Sequence, residues 1–163
     1  MDLRVLSERL SVCRLPADSP WPTAPADRSF YSVTRTGDEV SVVCAEDAVP
    51  VGDDVRVEPD WRALEVAGPL DFAMIGVIAE LTAPLADVDV SVFVVSTYDT
   101  DYLLVHAAAI EPAIAALRGA GHHVVAGGPA RSERRPRPQQ VEGPCDAAER
   151  PRWRPSPEPT PTG

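Results

Sequence analysis

The stretch WRALEVAGPLDFAMIGVIAELTAPLADVDVSVFVVSTYDTDYLLVHAAAIEPAIAALRGAGHHVV, residues 61–125, decides the fold. Trp61 to Val66 reads as a strand. Gly68-Pro69-Leu70-Asp71 is a loop that ends on a residue suited to cap a helix, because the Asp71 carboxylate can accept from the first free N–H groups of a helix. From Phe72 the apolar period becomes helical: Met74, Ile78, Leu81 and Leu85 fall on one stripe, and Pro84 ends or kinks that helix near its last turn. Val90 to Thr97 is a nearly continuous run of β-branched and aromatic residues, as in a central strand buried on both faces. Tyr98-Asp99-Thr100 is a turn, and Asp101 to His106 returns as a paired strand. A second helix carries Pro112 in its first turn and the stripe Ile110, Ile114, Leu117; Gly119 and Gly121 stop it. His122 to Val125 is a last short strand. The order strand, helix, strand, strand, helix, strand is the split βαβ, ferredoxin-like arrangement, and the fold class is α+β.

Working outward, residues 1–60 are helix-poor. Arg4–Leu6 and Leu10–Leu15 read as short strands joined by a tight turn. Residues 16–29 are rich in Pro and polar groups and read as loop, with Trp21 placed to cap the core. Phe30 to Thr36 alternates with period two, Phe30, Ser32 and Thr34 facing one way and Tyr31, Val33 and Arg35 the other. Gly37-Asp38 then turns the chain into Val40–Ala45, giving a hairpin. Residues 46–60 read as an acidic loop holding a short extended piece at 55–57. Such a lobe can cover what the two helices of 61–125 leave bare.

The 163 residues carry 25 Asp and Glu against 15 basic residues, for a net charge of −10. All the basic residues are Arg; Lys and Asn do not occur, which reads as the codon usage of a GC-rich genome. The charge is uneven. Residues 1–125 hold eight Arg and twenty acids, whereas residues 126–163 hold seven Arg, five acids and nine of the eighteen prolines. An acidic body repels phosphates, so it is expected to bind no nucleic acid and to attract cations and zwitterions. The tail, with RSERRPRPQQ (131–140) and RPSPEPTPTG (154–163), has too little apolar surface to offset the entropy of ordering and is expected to be disordered. No apolar run approaches the roughly 20 residues of a membrane span, and the first residues read as no secretory leader. The expected setting is cytoplasmic, with no membrane partner.

Chemical motifs are mostly missing. With no Lys there is neither a P-loop nor a Schiff base. Gly119-Ala120-Gly121 is a helix stop rather than a dinucleotide turn. His122 and His123 are adjacent in a strand, so they point to opposite faces and cannot chelate one metal. Cys13, Cys44 and Cys145 are widely spaced; Cys13 and Cys44 read as small apolar residues inside strands. No enzyme, no cofactor and no metal site is expected. Two segments stand out instead, GPLDFAMIGVIAELTAPLA (68–86) and VSVFVVSTYDTDYLLV (90–105). Gly76 inside a helix would cost about 1 kcal/mol against Ala and would admit a close approach; Asp99 and Asp101 place negative charge at a turn. The start of the first helix and the end of the following strand are expected at opposite ends, so that a second lobe or subunit would be needed to join them.

These two segments resemble the ACT domain, a small ligand-binding βαββαβ module, and more narrowly the CASTOR-type ACT family, which includes the arginine sensors and short bacterial proteins. VCRL (12–15) and FYSVTRTGDEVSVVC (30–44) also fit the bacterial members. The resemblance implies an N-terminal ACT-like lobe at 1–60, an ACT domain at 61–125 and an unmatched tail at 126–163. It implies a non-catalytic regulatory protein that holds a free amino acid or similar small zwitterion between ACT lobes, and it implies a homodimer. By the same resemblance the binding residues are Gly76, Val77 and Ile78 on the helix, and Thr97, Tyr98, Thr100 and Asp101 in the strand and turn. Helix N–H groups suit an α-carboxylate, an Asp suits an ammonium or guanidinium, and Thr97 can supply a hydroxyl. The alternative is an adaptor or oligomerisation module that keeps the fold without a ligand.

Overall fold

The computed structural model of the chain describes residues 1–25 and 30–127. The reading of the tail therefore lies outside the described residues from 128 onward, as does the loop assignment at 26–29.

The spine of the molecule is the strand β5, Arg56–Val66. Along one edge of it, β1 (Asp2–Val5) and β2 (Leu10–Leu15) lie end to end, both antiparallel to it: Leu3 stands opposite Val66, Leu10 opposite Trp61 and Arg14 opposite Arg56. Along the other edge β7 (Asp101–His106) pairs from Trp61↔His106 to Glu65↔Tyr102, and β6 (Phe93–Ser96) pairs with β7. β4 (Val40–Ala45) pairs with β2, and β3 (Ser32–Arg35) with β4. β8 (His123–Ala126) runs parallel to β1. One eight-stranded sheet results. Around the second half of β5 its order is β8–β1–β5–β7–β6, which is the ferredoxin-like order with β1 inserted beside the first strand of the motif.

α1 (Val77–Ala86) and α2 (Ile110–Gly119) cover one face. Leu81, Leu85 and Leu117 pack there against Leu64, Leu103 and Val5, all at most 5% exposed. Each Leu withdrawn in this way contributes about 1.5–3 kcal/mol of hydrophobic free energy. On the other face Trp61, Ala63 and Leu104 meet Phe30 and Val43, with Phe93 and Tyr102 at the margin. The Phe30 and Tyr102 rings lie 4.6 Å apart and Trp61 stacks on His106 at 4.0 Å. Because Val43 of β4 and Phe93 of β6 share this cluster, the sheet curls toward itself on the helix-free side. Cys13 and Cys44 are buried free thiols on the paired strands β2 and β4. The Cys44 thiol is pushed up by its hydrogen bond to Cys13 and by burial, which suits a packing role.

Several local expectations are corrected. The first strand is Asp2–Val5, not Arg4–Leu6, and the last runs one residue later, His123–Ala126. The strand at 61–66 begins at Arg56. Pro59 and Asp60, read with the acidic loop 46–60, belong to this strand: a register shift against Leu10/Val12 accommodates them, and Asp60 takes a left-handed φ of 64°. Trp21 does not cap the core; it is 61% exposed and stacks under Arg35. The valine-rich run 90–97 is not a central strand but the edge strand β6, half-buried. The helix expected from Phe72 starts at Val77. Asp71 instead accepts from the Ala73 N–H at 2.8 Å and closes one isolated turn with Met74 N–H on its own carbonyl. Gly76 then breaks the path with φ 83°, so it is the residue before the helix rather than one inside it. That conformation, open to Gly and costly to other residues, is its reason for being there, since nothing lies within 4 Å of where its Cβ would be.

Candidate functional site

β5 and β6 are both antiparallel to β7 and hence parallel to each other. Their carboxyl ends share one end of the sheet. α1 connects them and runs back the other way, so its amino end is at that same end. The expectation that the helix start and the end of the following strand lie at opposite ends is therefore wrong: strand direction brings them together within one chain.

Between them lies a cleft of about 370 Å³. All seven residues singled out from the sequence line it: Gly76, Val77 and Ile78 on one wall, Thr97, Tyr98, Thr100 and Asp101 on the other. The sequence reading missed Leu70, Phe72, Met74, Ala79 and Ser96 as lining residues, and it left Asp71 and Asp99 out of the site. Phe72 and Tyr98 meet edge to face at 5.0 Å across the mouth while staying 75% and 79% exposed. Phe72 stands in GPLDFAMIG off the apolar stripe of Met74, Ile78, Leu81 and Leu85, so periodicity alone gave it no partner.

The helix wall offers backbone donors. The first bond inside α1 is from the Glu80 N–H to the Gly76 carbonyl at 2.8 Å, and no side chain caps the helix. The amides of Val77, Ile78 and Ala79 thus present the positive end of a helix dipole to the cleft. The turn wall offers carboxylates. Asp71, Asp99 and Asp101 line the cleft, and among the described residues no Arg or His does. The Asp101 Oδ1 accepts from Ser96 Oγ, which fixes one oxygen and leaves the other.

The two threonines are occupied otherwise than the sequence suggested. Thr97 Oγ1 donates to the Thr100 carbonyl at 2.9 Å and accepts from the Thr100 N–H at 3.2 Å, so its hydroxyl fastens the turn. Thr100 is buried and its hydroxyl donates to the Val66 carbonyl. The cleft thus has amide donors on one side and carboxylates on the other, under an apolar lip of Phe72, Met74 and Tyr98.

A family model described as ACT domain matches residues 56–119, and a second, of an N-terminal domain, matches residues 8–52. The chain is similar to a crystallised protein of Agobacterium tumefaciens at 35% identity and TM-score 0.70, covering 78% of this chain and 93% of that one. It is 29% identical over 125 residues to the cytosolic arginine sensor for mTORC1 subunit 1 of Bos taurus, covering 64% of this chain and 38% of the sensor. The fold is shared with the regulatory subunit of aspartate kinase from Thermus thermophilus in its ligand-free form, at 14% identity and TM-score 0.52, covering 72% of this chain and 95% of that one. The alignments span between 14% and 53% of the length of the curated relatives.

Proposed function

Because the chain belongs to the ACT-domain proteins of the CASTOR type, a family of small-molecule-binding regulatory modules, we propose that it is a non-catalytic sensor that holds a free amino acid in the cleft between the amino end of α1 and the β6–β7 turn. The observation that carries this is the pairing of uncapped helix amides with acid side chains across one cleft of about 370 Å³. An α-carboxylate sits at the helix amino end, where backbone donors and the dipole favour negative charge. An α-ammonium, or a cationic side chain, meets Asp101 and Asp99. The ligand is held without being activated or cleaved: the hydroxyls of Ser96, Thr97 and Thr100 are tied into the turn, and among the described residues no His or Cys lines the cleft. The protein works in the cytoplasm, and its response is a change of assembly. We propose the division into an N-terminal lobe at 1–60 and an ACT domain at 61–125, with a second lobe from another copy closing over the apolar lip in a homodimer.

A thermal-shift screen of the purified chain against the free L-amino acids tests this, starting with L-arginine because the curated relatives are named arginine sensors. A ligand present at 100 times its Kd adds about 2.7 kcal/mol of stability. Asp101→Ala is expected to remove that rise while leaving the ligand-free melting temperature within a degree or two (about 0.5 kcal/mol or less), since Asp101 is only half-buried and, among the described residues, its side chain bonds Ser96 alone. A screen with no responding amino acid, or an Asp101→Ala protein that no longer folds, overturns the proposal.

A further inference from the structure

The loop that leaves β5 passes hard against the β6–β7 turn, and the contact is made at Gly68. A Cβ placed there would stand 2.6 Å from the Asp99 carbonyl oxygen and 3.2 Å from the Thr100 Cβ. The first distance is one that real Cβ atoms do not adopt, and the obstacle is backbone, which cannot rotate aside. Two residues on, the Leu70 N–H donates to that same Asp99 oxygen at 2.8 Å. From the turn side, the buried Thr100 hydroxyl reaches back to the carbonyl of Val66, the last residue of β5. Thr97 then closes the turn on Thr100 from within. Two hydrogen bonds and the close approach at Gly68 thus join the end of β5 and the loop leading to α1 to the turn that carries Tyr98, Asp99 and Asp101.

We infer that Gly68 and Thr100 are positioning residues, a latch that fixes the acid-bearing turn against the amino end of α1 and so sets the affinity of the cleft without touching the guest. The ligand half of this inference rests on the function proposed above; the latch itself does not. Neither residue belongs to the three clusters that make up the core. The fastening lies at the rim, where it governs the spacing of charges rather than the stability of the sheet. Thr100 acts through its neighbours because its hydroxyl is already committed to Val66. Gly68 acts by having no side chain, since any Cβ drives the Asp99 carbonyl, and with it the carboxylates on both sides, away from the helix amides. Displacements of this kind, about 1 Å, are enough to spoil a site built on directed charges.

The test compares Gly68→Ala, Thr100→Val and Thr100→Ser with the parent chain. Backbone amide spectra of the ligand-free proteins are expected to show Gly68→Ala and Thr100→Val moving the amides of residues 68–71 and 97–101, with those of β2, β4 and α2 in place. Calorimetric titration with each of the twenty L-amino acids is expected to show Kd raised at least about tenfold in both, equivalent to about 1.4 kcal/mol. Thr100→Ser, which keeps the hydroxyl, is expected to restore both readouts. Turn amides that stay put in Gly68→Ala and Thr100→Val, wholesale unfolding of Gly68→Ala, or a Thr100→Ser protein no better than Thr100→Val each overturn the latch. A displaced turn with unchanged affinity overturns its role in binding. If the parent chain binds none of the twenty, the functional reading fails while the amide spectra still decide the latch.

Discussion

Replacing Gly76 by Ala isolates the feature that separates the real start of α1 from the apparent one. Nothing lies within 4 Å of the Cβ position, so the substitution adds no clash. Its cost comes from the backbone alone: at φ 83° a residue with a Cβ pays about 1–2 kcal/mol. Loss of glycine's freedom in the unfolded chain returns about 0.4–1 kcal/mol. The net is a destabilisation of up to about 1.5 kcal/mol, and no gain. Gly119 is the matched control. It too has nothing within 4 Å, but it sits in the last turn of α2 without a positive φ. Gly119→Ala is therefore expected to stabilise by about 0.5–1 kcal/mol. Urea denaturation of the two variants, with an m of about 1–3 kcal/mol/M, places the Gly119→Ala midpoint above the Gly76→Ala midpoint by about 0.2 M or more, with Gly76→Ala no higher than the parent. If Gly76→Ala stabilises as Gly119→Ala does, the chain at 76 is helical, α1 begins near Phe72, and the cleft wall drawn from Gly76 to Ile78 is misplaced.

Leu81→Ala, at a fully buried position on the inner face of α1, is expected to cost about 2–5 kcal/mol in the same denaturation assay, whereas Met74→Ala, which the sequence placed on the same stripe but which is 48% exposed, changes stability by about 0.5 kcal/mol or less. Tyr102 is held up to about 12 by burial, by the charge of Glu65 and by its hydrogen bond to Glu65. Its folded value is above the unfolded one, so the folded state keeps a proton that the unfolded chain loses, and stability falls as pH rises from about 10 toward 12. Glu65→Gln lowers the midpoint of this high-titrating tyrosine in an absorbance titration, and an unchanged midpoint refutes the assignment.

The second helix was legible because its punctuation is local. Pro112, the stripe through Leu117, and Gly119 and Gly121 act within a few residues of one another, and Gly121 takes the left-handed φ of 90° that its position after the helix calls for. The first helix was not, because Asp71 followed by Met74 and Ile78 presents the same signals as a true helix start. What decides between them is one backbone angle at Gly76, to which apolar periodicity is blind. Likewise β6 has the composition of a central strand, yet the sheet's curl, rather than a second neighbouring strand, shields its side chains. The insertion of β1 beside β5 could not be read at all: Leu3 faces Val66 on one side and Val124 on the other, and neither partner is local to it.

The site shows the same division between residue and direction. Which residues would line a cleft was visible in two short segments, and the structure brings all seven of them around one space. Where those segments would meet was misjudged, since composition carries no arrow. The arrow follows from counting strands: two antiparallel steps, β5 to β7 and β7 to β6, return β6 to the direction of β5, and a helix between two parallel strands must start where the first one ends. The same count explains why the turn can be fastened to Val66, since β5 and β6 end at the same end of the sheet, where the β6–β7 turn also lies. A donor-rich helix start and an acid-rich turn are thus opposed by topology before any side chain is chosen, and the distance between them is left to Gly68 and Thr100.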